Sequence, residues 1–317
     1  MNETVAVVGA GISGPLVARV LRARGVSVVV VEKSRGLGGR LATKRVGAAV
    51  FDQGAQYFTA RDSRFLAWVA EWRGRGVVAS WPGSAHRLIA RPSMNALGKV
   101  LAEGLELRRE WRVLSARREH TEWVLAIDGQ PPLRAGRLVL TAPVPQSLAL
   151  FDDGALPPHL LEELRLLRYA PCLVLLVTLR GPSAVPADGV ALSGEPVRWI
   201  ADNTKKGIAR GVPAALTVHL TPAFSAAHYA KTETELATLV LPVIERWLGG
   251  DVANVQVHRW KFSEPTTTHR EPCVWIPDLG VGFAGDAFGG PRVEGAAVSG
   301  LELADRISGD RRDGLCS

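Results

Sequence analysis

Three glycines, Gly9, Gly11 and Gly14, constrain this chain most, because of what stands on either side of them. Thr4 to Val8 is a β-branched and apolar run that predicts a strand, and Leu16 to Arg24 carries apolar residues at helical spacing. After Gly25, Val26 to Val31 predicts a second, all-apolar strand that ends in Glu32. Strand, glycine turn, helix and strand within about thirty residues make a βαβ crossover. Strands apolar on both faces belong in a parallel sheet. In that setting the pattern GxGxxG has a physical meaning. The first glycine permits a tight turn, the second lets backbone approach a pyrophosphate, and the third lets the helix pack on the strand. The helix N-terminus offers free N–H groups to phosphate, so Gly9, Gly11, Ile12, Ser13 and Gly14 are candidate dinucleotide contacts. Glu32 stands close to the spacing expected for an acid that binds a ribose hydroxyl, with Lys33 beside it. Pro15 falls in the first helical turn, where its missing N–H costs nothing.

Downstream, helices are expected over Arg64 to Arg73, Ser93 to Glu103 with Ser93 as N-cap, Leu156 to Arg168 and Thr232 to Trp247. Leu105 to Ser115, Trp123 to Ile127 and Leu138 to Leu140 read as strands, the last running into Thr141-Ala142-Pro143. Cys172 to Leu179 starts a new sheet, joined by Val197 to Ala201, Ala215 to Leu220 and Val255 to Trp260. The βαβ pattern does not recur there. Val281 to Asp286 reads as a strand stopping at Gly285-Asp286, Val293 to Ile307 as a helix rich in small residues, and the polar tail beyond Ile307 as frayed.

With 317 residues, 47% of them hydrophobic, the chain can bury the cores of two modest domains. A net charge of +7 raises the question of nucleic acid. Its basic residues are scattered singly and in short pairs such as Arg108-Arg109 and Lys205-Lys206, with no basic arm or recognition motif, so an anionic small molecule is the better use of the field. Cys172, Cys273 and Cys316 lie far apart without CxxC spacing, which suggests neither a disulfide framework nor a zinc site and fits a reducing cytoplasm. Met1-Asn2-Glu3 runs into the first strand without the features of a signal peptide, and no apolar run reaches the roughly twenty residues of a membrane helix. A soluble, cytoplasmic protein is expected, with neither membrane nor nucleic acid as partner.

The segment after Glu32 separates two kinds of dinucleotide. Glu32-Lys33-Ser34-Arg35-Gly36-Leu37-Gly38-Gly39-Arg40 resembles the stretch that flavoproteins with two dinucleotide-binding domains carry after their Rossmann unit, where Gly39 and Arg40 would lie beside the FAD diphosphate. Physically, the glycines allow close backbone passage and Arg40 offers a planar fork to phosphate. Phe51-Asp52-Gln53-Gly54-Ala55-Gln56-Tyr57-Phe58 is similar to the strand and turn that run along the flavin ring in amine-oxidase-like proteins, which implies cofactor contacts for Gly54, Ala55, Gln56 and Tyr57. Gly285-Asp286, followed by Gly289-Gly290-Pro291-Arg292-Val293-Glu294-Gly295-Ala296, resembles the segment that puts Asp286 on the ribityl chain and points a helix N-terminus at flavin N1 and O2. Such a dipole would stabilise negative charge on the ring. Arg292, Val293, Glu294 and Ala296 would then be cofactor contacts, as the same resemblance implies for Val113 and Thr141.

Five stretches in order narrow the likeness: Val5 to Arg40, Asp52 to Arg61, Trp199-Ile200-Ala201-Asp202-Asn203, His258-Arg259-Trp260, and Arg292 to Gly300. Together they resemble the bacterial renalase family. Lys261-Phe262 and Pro92-Ser93-Met94-Asn95 depart from that family's pattern. The resemblance implies an α/β fold, with a Rossmann-like, amine-oxidase-like FAD-binding domain (1–75, 96–150 and 270–317) and an α+β mixed-sheet substrate domain (76–95 and 151–269). It implies FAD as cofactor and oxidation of 2- and 6-dihydro isomers of NAD(P)H, with O2 becoming hydrogen peroxide. Tyr57, Thr59, Arg61, Met94, Asn95 and Arg292 would touch the substrate. A dihydropyridine expels hydride with its own nitrogen lone pair, so no catalytic side chain or metal is expected and position is enough. His219 and His258 read as satisfied strand histidines. Two rivals remain: an amine oxidase or desaturase of the same fold, which would want an apolar tunnel, and a non-catalytic FAD-binding redox module.

Overall fold

The computed structural model describes residues 4–313, so Met1 to Glu3 and Cys316 lie outside it. At its centre, Val5–Val8 pairs in parallel with Val28–Glu32 on one side and Arg137–Leu140 on the other. Glu106–Arg109 and Val281–Phe283 extend the sheet, and Val274–Ile276 closes one edge antiparallel, giving six strands. Because side chains alternate across a strand, the apolar runs feed two cores. Val5, Val7, Val28, Val30 and Val139 meet Val17, Leu21, Leu303 and Ile307 of the helices Ser13–Ala23 and Val293–Asp313. Ala6, Val29, Val31, Leu138, Leu140 and Phe283 meet Trp123, Leu125 and Leu133 of a three-stranded antiparallel meander over Val113–Glu119, Glu122–Ile127 and Gln130–Ala135.

A second sheet holds five antiparallel strands, in the order Val190–Ala191, Val197–Asp202, Ala214–Leu220, Tyr169–Leu179, Val252–Pro265. One face packs Leu173, Leu175, Val177, Leu216 and Val218 against Leu236, Val240 and Ile244. The other sets Cys172, Val174, Leu176 and Ala215 against Ala49 and Phe51, which belong to a hairpin of Thr43–Val46 and Ala49–Asp52. This α/β architecture matches the expected fold class.

Several elements differ from the sequence expectation for physical reasons. The strand expected over Leu105 to Ser115 is two strands in different sheets, parted by Glu110 at φ 59° and by Trp111, whose N–H donates to the Glu32 carbonyl. Ser93 caps nothing; the helix is Ala96–Ala102 with Asn95 at its N-cap, and the Ser93 hydroxyl donates to Asn95 Oδ1. The helix expected over Thr232 to Trp247 breaks at Pro242 into Glu233–Val240, a 3-10 turn and Glu245–Leu248, with Thr232 and Glu235 forming a capping box. The last helix does not fray at Ile307 but continues to Asp313, helped by an ion pair from Asp310 to Arg137. Hairpin strands at Val78–Ser80 and Leu88–Ala90 are only three residues long, and Thr43–Val46 is mostly polar, so none of them signals itself in the sequence. Among the described residues no helix is long and apolar enough to cross a membrane, and no group of three or more His, Cys, Asp or Glu is placed to hold a metal.

Candidate active site

The two sheets face each other across a cavity, and the glycine turn forms part of its wall. Gly11, Ile12 and Ser13 line it at the start of the first helix, and Pro291, Arg292, Val293 and Ala296 line it at the start of the last. Ser13 Oγ donates to the Ala296 carbonyl at 2.7 Å, so the two helix starts, 283 residues apart, are tied directly. Gly11 is informative for what it does not touch: a Cβ there would meet nothing within 4 Å, so protein packing does not explain the glycine. Space left above a helix N-terminus is what a pyrophosphate needs.

Glu32 accepts hydrogen bonds from Ala10 N–H and Ser34 N–H, each at 2.8 Å, and thereby fixes the glycine loop to the end of the second strand. Thr141 lines the cavity and bonds through its hydroxyl to the carbonyls of Val8 and Gly9. Arg40 spends its fork on Asp286, with Nη1–Oδ2 2.5 Å and Nη2–Oδ1 2.7 Å, and donates further to the Ser263 carbonyl at 3.1 Å. The residues expected at the diphosphate and at the ribityl chain are thus one bidentate pair on the cavity wall.

Gly54 and Ala55 line the same cavity. Here a side chain is excluded by the protein itself, since a Cβ on Gly54 would lie 1.9 Å from the Arg40 carbonyl, to which Ala55 N–H donates at 2.9 Å. Gln56 turns inward, its Nε2 bonding the carbonyls of Asp52 and Gly54, while its Oε1 and that of Gln53 are buried without a partner.

The opposite wall comes from the five-stranded sheet: Cys172, Arg198, His219, Trp260, Ser263 and Glu264. Arg198 and Glu264 form a bidentate ion pair at 2.7 and 3.1 Å. Both stand at irregularities of the ladder. Val197 pairs with Leu220 and Trp199 with His219, which leaves Arg198 as the extra residue of a bulge, and the register shifts again between Ala170–Glu264 and Cys172–Trp260. Bulges re-aim side chains in this way. Burial and the nearby Arg198 push the His219 pKa down to about 3, so its ring is neutral at pH 7. The expectation of a satisfied histidine fails here: Nε2 of His219 is buried without a partner, as is Nε2 of His258, whose pKa burial lowers to about 4. Burial pushes the Cys172 thiol up to about 11, so it stays protonated.

Of the remaining expected contacts, Gly9, Gly14, Gly39 and Glu32 are not among the lining residues, although Glu32 borders them through Ala10 N–H, and Lys33 reaches Gln146 at the surface. Val113 begins a meander strand and is buried. Glu294 accepts from the N–H groups of Arg61 and Asp62 and so anchors the loop before the helix Ser63–Gly74 rather than lining the cavity. Arg61 and Thr59 also stand outside the lining, as does Asn95, and Met94 is fully buried in a core with Leu97 and Phe65. Tyr57 packs against Trp81 and Trp199, with Arg87 stacked over its ring at 4.8 Å.

Sequence reasoning missed Arg198, Ser263 and Glu264 on the far wall, and it missed Lys206, whose ammonium meets Asp52 Oδ2 at 2.6 Å with both side chains fully buried. A signal existed in Thr217 and His219, polar residues two apart in an otherwise apolar strand, which mark one face as unlike the core.

Two known families match consecutive stretches of the chain. Residues 7–72 match the NAD(P)-binding Rossmann-like domain, and residues 80–308 match the flavin containing amine oxidoreductase family. Among solved structures, a protein provisionally described as a protoporphyrinogen oxidase, from Exiguobacterium sp. 255-15, superposes with TM-score 0.77 at 14% identity, covering 97% of this chain and 99% of that one. Putrescine oxidase bound to putrescine gives TM-score 0.74 at 16% identity over 98% and 99%. Cyclohexylamine oxidase from Brevibacterium oxydans IH-35A gives 0.72 at 15% over 98% and 100%. At these identities the likeness is one of fold.

Proposed function

The chain belongs to the flavin-containing amine oxidoreductase family, and from that premise we propose that it is a renalase-like FAD-dependent oxidase of the 2- and 6-dihydro isomers of NAD(P)H, with oxygen as acceptor. Its substrate is inferred from the renalase-like stretches of the sequence, and the polarity of the cavity supports it. Arg198, His219, Ser263, Glu264 and Arg292 all line the space where an apolar tunnel would suit an amine or alkene. Of the three guanidinium groups in the lining, Arg40 and Arg198 are paired with Asp286 and Glu264, while Arg292 has no ion pair among the described residues and is the cation that a dinucleotide phosphate would meet.

When bound, FAD supplies hydride acceptance at its N5 and passage of the electrons to oxygen, which becomes hydrogen peroxide. Everything else is positioning. Gly11, Ile12 and Ser13 would hold the diphosphate at the helix N-terminus, Glu32 the ribose, and Gly54 and Ala55 the ring. Val293 and Ala296 would face the pyrimidine edge, and Arg40 with Asp286 would fix the wall between. The donor carbon needs no base, because its ring nitrogen drives hydride out, and near-attack placement lowers the barrier. A neutral His219 is consistent with that. In this reading residues 1–75, 96–150 and 270–317 bind FAD, and 76–95 with 151–269 shape the substrate side.

Anaerobic mixing of the purified yellow protein with defined 2- and 6-dihydro isomers is expected to bleach the flavin absorbance within seconds, the colour returning in air. Failure with both isomers removes the substrate and leaves family and fold intact. Bleaching by putrescine or cyclohexylamine instead would make the protein an amine oxidase.

A further inference from the structure

We propose that the Arg198–Glu264 pair, with His219 beside it, is a carboxamide-reading site that selects a nicotinamide over a nicotinate ring. The proposal deepens the dihydronicotinamide reading and rests on it for the substrate. Its geometry stands on its own. The two side chains come from strands that are not neighbours in the sheet, yet each sits at a ladder irregularity and the pair closes over the cavity side of the sheet above Cys172.

Pairing cancels the charges without using up the polar valences. A guanidinium has five N–H donors and the bidentate contact engages two of them, and a carboxylate offers about four acceptor sites of which two are engaged. What remains is a neutral edge presenting donors and acceptors together. A carboxamide has the matching set, one carbonyl oxygen and one NH2 group. A carboxylate has acceptors only and would be set against Glu264, a like charge; an ammonium would be set against Arg198. Cys172 adds no charge, being held as the thiol. His219 supplies the second, independent observation. It lines the same cavity and its ring is neutral, so it can donate or accept beside the pair without adding charge.

The test is a titration of the FAD-loaded protein with nicotinamide and with nicotinate, following the perturbation of the flavin absorbance. Nicotinamide is expected to bind about tenfold or more tighter, the discrimination that follows from leaving one polar group unpaired. Glu264→Gln leaves Arg198 uncompensated and is expected to shift the preference toward nicotinate; Arg198→Met is expected to weaken both ligands, nicotinate more. Equal affinities in the parent overturn the site, as does a ratio that Glu264→Gln leaves unchanged. A variant that loses flavin but whose parent shows no preference assigns the pair to the cofactor and overturns the proposal too. These outcomes are separate from the bleaching test. A protein bleached by the dihydro isomers that binds both rings alike keeps its oxidase function and loses this site, and one that prefers nicotinamide without being bleached loses the oxidase reading.

Discussion

Asp52 is the residue on which both halves of the structure converge. Its Oδ1 accepts from the Thr43 hydroxyl and from Met94 N–H, its Oδ2 from Lys206, and its backbone carbonyl from Thr217 and Gln56. Lys206 has no other escape for its charge: its ammonium lies 5.0 Å from the Trp81 ring centre, and burial lowers its pKa. A buried ion pair is a doubtful source of net stability, but removing one partner leaves an uncompensated charge that costs about 3–5 kcal/mol. Lys206→Met is therefore expected to destabilise the protein by that order in chemical denaturation, and the double change with Asp52→Asn to recover a large part of the loss. Additive effects of the two changes would mean that the pair is not coupled.

At the scale of elements, the site depends on two turns that meet back to back. Gly54 passes so close to the Arg40 carbonyl that a methyl group cannot be placed without moving backbone, and Arg40 is in turn held by Asp286. Overpacking of this kind costs about 1–3 kcal/mol. Gly54→Ala is expected to lower the melting temperature and the flavin content together. Gly11→Ala is its counterpart, because the new Cβ meets no protein atom. It is expected to change stability by less than about 0.5 kcal/mol in the cofactor-free protein, as at other open positions, while FAD affinity falls. Measured side by side, the two variants separate a glycine required by the protein from one required by the ligand.

For the whole molecule, the cavity is a seam between residues far apart in sequence. The first helix start, the Arg40 turn, the Gly54 turn and the last helix start line one side, and strands from the second sheet line the other. A ligand that binds only when these segments are assembled must stabilise the folded state. Deflavinated protein is expected to gain about 2.7 kcal/mol at FAD concentrations a hundredfold above Kd, read as a concentration-dependent rise in melting temperature. A melting temperature indifferent to FAD would mean that the seam is not where the cofactor binds.

The sequence by itself determined what depends on neighbours along the chain. Thr4 to Glu32 announces strand, turn, helix and strand through local periodicity and glycine spacing, and the structure has all four in that order, with bounds shifted by two or three residues, and starts the last helix at Val293 as expected. Only the tertiary structure decided the far wall. Arg198 and Glu264 owe their direction to slips in strand pairing, and pairing register is set by partners up to a hundred residues away, which no local pattern encodes. Lys206 reads in sequence as half of a surface Lys-Lys pair; it is buried because Asp52, 154 residues earlier, is folded against it. Periodicity fixes which face of an element is apolar, but which polar groups are brought together, and so what chemistry the cavity offers, is settled only when the sheets close on each other.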